Sequence, residues 1–115
     1  MRAQKDRWPH IARFLRIDEA AGRIQHDHVG FSCVEDELPP ATRAAAYEEW
    51  ADFHEWHLEQ RSAELADDPV LRHLVTEWTD SMAYSCRRSA TFARGEDPGP
   101  RTPQPARRPK PHTTT

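Results

Sequence analysis

Residues 47–57 read YEEWADFHEWH, and the fold turns on how that stretch is packed. Tyr47, Trp50, His54, Leu58 and Leu65 follow one helical stripe. A second, offset stripe runs through Ala46, Phe53 and Trp56 or His57, while Glu48, Glu49, Asp52, Glu55 and Glu59 take the remaining face. A helix that is apolar on more than one side needs more than one neighbour. Pro39-Pro40 stands just before it, where a missing amide costs nothing. The pattern predicts a helix over 41–66.

The next segment supplies one neighbour. Asp68 is a good helix cap and Pro69 a good first helical residue. Val70, Leu71, Leu74, Val75, Trp78, Met82 and Cys86 then keep the i, i+3, i+4, i+7 rhythm until Gly95 and Pro98 stop it. This predicts a helix over 69–93. The link Asp67-Asp68 is so short that the two helices must return as an antiparallel hairpin.

The first third admits two arrangements. Phe14, Ile17, Ala21, Ile24 and His28 suit a helix, with Ile11 and Leu15 on another side. Alternatively LRID, a turn at Glu19–Gly22, and the alternating RIQHDHVGF form a β-hairpin. Gly22 costs about 1 kcal/mol inside a helix and suits a turn. The helix is preferred for the length of its pattern. The hairpin is the alternative and would make the protein α+β. Val29–Pro40 reads as a loop with one short extended piece near Phe31–Val34. The expected fold is thus mainly α: a central helical hairpin packed with an N-terminal helix in one domain, 1–93.

From Arg94 onward the chain reads RGEDPGPRTPQPARRPKPHTTT, with six of the ten prolines and no large apolar residue. Such composition cannot offset its ordering entropy, so 94–115 is expected to be a disordered tail. The remainder has a thin core: Leu, Ile, Val and Phe make up only 17 of 115 residues, and four tryptophans compensate in part. A small domain of that kind favours marginal stability or self-association.

Net charge is −3, divided into about −6 on the body and +3 on the tail. An acidic body repels nucleic acid, so only the tail, with its PARRPKP run, offers phosphate attraction. Fourteen of the sixteen basic residues are Arg and Asn is absent, which points to a GC-rich, bacterial type of coding sequence and weakens any functional reading of the arginines. No run approaches the ~20 apolar residues of a membrane span, so no membrane insertion and a cytoplasmic location are expected. Cys33 and Cys86 are too few for a disulfide framework and read as free structural thiols.

Two groups of residues stand out chemically. Tyr47, Trp50, Phe53, Trp56 and Trp78 are the side chains most suited to anchoring a protein partner or a homodimer. His26 and His28 lie two apart, His54 and His57 three apart, and Cys33 follows the first pair. If the folded chain brings them together, they form a zinc site of N and S ligands. The expected function is a non-enzymatic interaction or accessory module, with self-association as one form of it. A small zinc-binding protein and a nucleic-acid accessory protein acting through the tail are the alternatives.

Overall fold

The computed structural model describes residues 6–18, 20–21 and 23–101. A 3₁₀ turn (Ala12–Phe14) leads into strands β1 (Leu15–Asp18) and β2 (Arg23–His26). Helix α1 (His28–Val34) and a second 3₁₀ turn (Glu35–Glu37) follow, then helices α2 (Pro40–Gln60), α3 (Ser62–Leu65) and α4 (Pro69–Ala93). The protein is mainly helical, and α2 packed on α4 forms its body.

Proline opens both long helices, and Asp68 caps α4 by accepting the Leu71 amide at 3.0 Å. The pair runs antiparallel, since Arg94 meets Glu48, Arg87 meets Asp52 and Glu55, and Trp78 meets His54. Arg87 forms a fork onto Glu55 at 2.9 Å to each oxygen and reaches Asp52 at 3.0 Å. Those hydrogen bonds raise its pKa further, so the guanidinium stays charged. The groups are too exposed for any one pair to contribute much. Their value lies in fixing the register of α4, whose buried residues are small, against α2. On α4 the buried positions are Thr79, Ala83, Cys86 and Ala90.

The helical hairpin matches expectation, with one break. The chain turns at Arg61 instead of continuing as one helix to 66. The short α3 that follows carries Leu65, only 1% exposed, into the interior.

The N-terminal third takes the alternative form. The preferred helix is absent, and β1 pairs antiparallel with β2 in the register Leu15↔His26 and Ile17↔Ile24. Pairing puts Leu15, Ile17, Ile24 and His26 on one face, which the two-residue period allows. Asp18 accepts the Ala21 amide at 3.2 Å inside the connection. Residues 19 and 22 of the expected turn lie outside the described residues.

The segment expected to be a loop starts instead as α1. Asp27 caps it by accepting the Gly30 amide at 2.8 Å. A Cβ on Gly30 would lie 2.9 Å from Asp27 Cγ and closer still to its Oδ2, so the cap requires glycine there.

These N-terminal elements cover the second apolar face of α2. Trp50, Phe53 and Ala46 are fully enclosed by Trp8, Ile11, Leu15 and Phe31 together with Ala83 and Cys86 of α4. Trp8 stands edge-on to Phe53 at 5.7 Å. The backbone amides of His10 and Ile11 donate to Glu49 at 2.8 and 3.1 Å, and the His10 ring meets the same carboxylate. Removing a buried ring such as Trp50 costs about 3–5 kcal/mol.

Residues 94–101, expected to belong to the tail, are held against α4. Gly95, at φ +81°, sits in the left-handed conformation that ends many helices. Its amide donates to Phe92 at 2.9 Å and that of Glu96 to Thr91 at 3.1 Å, which closes the helix and reverses the chain. Residues 102–115 lie outside the described residues.

Gly30→Ala should lower stability by about 1 kcal/mol through loss of the cap, and Asp27→Ala by a similar amount. The two losses should not add, because both remove one interaction. Urea denaturation of the single and double variants measures this, and full additivity would contradict the assignment.

Candidate functional site

The end of β2, the start of α1 and the middle of α2 meet at four histidines. His26 closes β2, and the Asp27 cap fixes His28 in the first turn of α1. His54 and His57, one helical turn apart on α2, present their rings to the same region. The ring centroids of His26, His28 and His54 lie 4.9–5.1 Å from one another. Trp50 packs on His28 at 4.0 Å and stacks with His54 at 5.9 Å. The edge of Trp78 closes on His54 at 5.3 Å.

At the centre, His28 Nε2 and His54 Nε2 are 2.8 Å apart. Two neutral imidazoles share that bond only if one carries its proton on Nε2 and the other on Nδ1. Their surroundings enforce neutrality. Burial, reinforced by the neighbouring histidines, pushes His54 down to about 3. Burial and His26 push His28 down to about 4, against a smaller opposing pull from Asp27. Burial also lowers His26 and His57. Nδ1 of His26 and Nε1 of Trp50 are buried with no hydrogen-bond partner among the described residues.

A groove of about 570 Å³ opens beside this cluster. Its α2 side carries His54, His57, Leu58 and Arg61, its α4 side carries Leu74, Val75, Trp78 and Thr79, and His26 reaches it from β2. Apolar walls with a few convergent polar groups of perturbed pKa are what binding sites generally show.

The structure thus assembles the four histidines that the sequence singled out and leaves Cys33 out. Cys33 is exposed on α1. Among the described residues no group of three or more His, Cys, Asp or Glu side chains is arranged to hold a metal ion. The His28–His54 pair shows why. Its 2.8 Å separation is that of a hydrogen bond, whereas two nitrogens on tetrahedral zinc stand about 3.3 Å apart. Cys86 is also quiet, because burial pushes its thiol up to about 11.

The aromatic residues expected to meet a partner divide. Trp50 and Phe53 are 0% exposed and are core residues, since the N-terminal elements cover the face that the helical hairpin leaves open. Tyr47 and Trp56 are half-buried against that core, with the Tyr47 hydroxyl donating to Glu35 and Trp56 packed beside Trp8. Trp78 alone of the five stays well exposed, at 50%. It is joined by residues expected to be core: Val70, Leu71 and Leu74 are 70%, 42% and 58% exposed. The available signal was the breadth of the α4 pattern. Its large residues and its small ones (Thr79, Ala83, Cys86, Ala90) describe two faces, and only the small ones are buried against α2, with Trp78 reaching His54 by one edge of the contact.

No helix among the described residues is long and apolar enough to cross a membrane. Comparison with known protein families, with curated proteins and with solved structures gave no match.

The histidine cluster should make stability depend on pH. An unfolded imidazole titrates near 6.5, and His28 and His54 titrate lower when folded. As pH falls below about 6.5, the unfolded chain takes up protons that the folded chain refuses, so stability decreases toward pH 4. Above 6.5 this contribution is complete and flat. Each such histidine adds a slope of at most about 1.4 kcal/mol per pH unit. Urea denaturation from pH 4 to 8 should show this fall, and His54→Phe should flatten it. An unchanged slope in that variant would refute the assignment.

Proposed function

We propose that this protein is a non-enzymatic interaction module that docks through the outer stripe of α4 and the groove beside it. One observation carries the proposal: Val70, Leu71, Leu74 and Trp78 stand exposed together on a single helix segment. Single exposed apolar residues are ordinary, but a contiguous row marks an interaction surface. The row is more telling in a chain with so few large aliphatic residues. Leu74 and Trp78 also line the groove, which makes the two features one surface. Tryptophan is prominent among the side chains that dominate protein interfaces.

The groove floor suits an apolar partner. Its histidines are neutral at physiological pH, so covering them strands no charge. A second copy of the chain fits the same description, because one self-complementary patch suffices for a two-fold dimer. Apolar burial is the driving force, at roughly 25 cal/mol for each Å² removed from water.

Size exclusion coupled to light scattering tests the proposal. The full chain should run above its 13.3 kDa monomer mass, or retain a protein partner in affinity capture. Leu71→Asp with Leu74→Asp should abolish that association while the unfolding midpoint stays nearly constant, since both side chains face water. An assembly indifferent to these substitutions, or a monomer without a stable partner, would overturn it.

A further inference from the structure

The outer face of α4 carries a line of side chains that the chain beyond α4 approaches. Leu71, Trp78, Ser85 and Phe92 recur every seven residues, so they lie nearly in line along the helix. Beyond the reversal at Gly95 the chain travels back along this line. The Arg88 guanidinium donates to the Gly99 carbonyl at 3.0 Å and to that of Pro100 at 3.4 Å. Arg101 donates to Ser85 Oγ at 2.9 Å and lies over the Tyr84 ring at 5.1 Å. The described residues therefore end beside Ser85, heading toward Trp78 and the first turn of α4.

The sequence that comes next matches what lies ahead. Residues 103–110 read PQPARRPK. Proline-rich chain of this kind favours an extended helix of about 3.1 Å per residue, against 1.5 Å along α4. Trp78 is about 10 Å beyond Ser85, which three or four extended residues span, so an extended course would bring Pro103 and Pro105 level with the exposed indole. The same course would bring Ala106 to Arg108 level with Leu74 and Leu71. Lys110 would then come level with the acidic link Asp67-Asp68, with Arg107 and Arg108 within about a helical turn of it, so that the charges are opposite. Prolines on exposed aromatic rings, flanked by a charge match, is a recurrent mode of peptide recognition.

We propose that residues 103–110 of the same molecule seat on the Leu71–Leu74–Trp78 face of α4 and compete there with the partner. The inference rests on the reading of this face as a docking surface. Binding of a partner then includes displacing the chain's own segment, so weakening the segment strengthens the partner.

Paramagnetic broadening in the full chain tests this. A nitroxide is placed at Gln104→Cys in a Cys33→Ser background, Cys86 being buried. The expected result is loss of the Trp78 indole signal and broadening at Leu71 and Leu74, while the Trp8 indole keeps its signal. Reversing Arg107, Arg108 and Lys110 to Glu should restore Trp78. Mixing isotope-labelled, nitroxide-free protein with unlabelled nitroxide-bearing protein, at a concentration where light scattering shows monomer, should broaden nothing. Broadening spread evenly over the molecule, broadening that ignores the charge reversal, or broadening in the mixed sample would overturn the proposal. Association that depends on Leu71 and Leu74, with Trp78 untouched by the nitroxide, would also remove this occupant and leave the docking face standing. Loss of the Trp78 signal without any such association would support the occupant and remove the partner.

Discussion

Enclosure of Trp50 is the interaction on which the other elements depend. Its ring touches Phe14 before β1, His26 at the end of β2, His28 and Phe31 in α1, and Phe53 and His54 in its own helix. A chain this poor in aliphatic residues has few other ways to exclude water from a core. Aromatic pairs add edge-to-face contacts to the area they bury. The β-hairpin is too small to be stable alone and persists because it closes over this ring. Glu49 secures the same closure from the polar side by accepting two backbone amides of the N-terminal turn.

That closure also creates the histidine cluster. His26 and His28 flank the Asp27 cap, and lowering this corner onto Trp50 carries both imidazoles against His54. Burial then removes their charge, and the His28–His54 hydrogen bond satisfies one polar atom of each. Among the described residues Nδ1 of His26 gains no such bond. A buried polar atom without a partner costs about 1–3 kcal/mol, so the corner trades some stability for the position of these rings.

Helix α4 does two jobs with two faces. Small residues on one face let it lie close along α2, while Val70, Leu71, Leu74 and Trp78 stay largely exposed, Trp78 still touching His54. The amphipathic rhythm announced a helix and its start at Asp68-Pro69, but it merged both faces into a single stripe. Periodicity reports the angle between side chains and not which angle points inward. The same limit explains the N-terminal third, where positions 14, 17, 21 and 24 satisfy a helix and 15, 17, 24 and 26 satisfy a strand pair. Asp27 before His28 was a legible cap, yet it lay inside a stretch that alternation had marked as extended.

The helical hairpin, its short acidic link, its proline starts and its glycine stop are legible in the amino-acid order, because these follow from local backbone chemistry. The same order marks the four histidines and the aromatic run as unusual. That Trp50 and Phe53 are core, that Leu71, Leu74 and Trp78 are surface, and that the histidines converge while Cys33 does not, follows from how distant segments pack. Those outcomes depend on which distant segment covers which face. That choice is made by burial summed over the whole chain, and no window of neighbouring residues contains it.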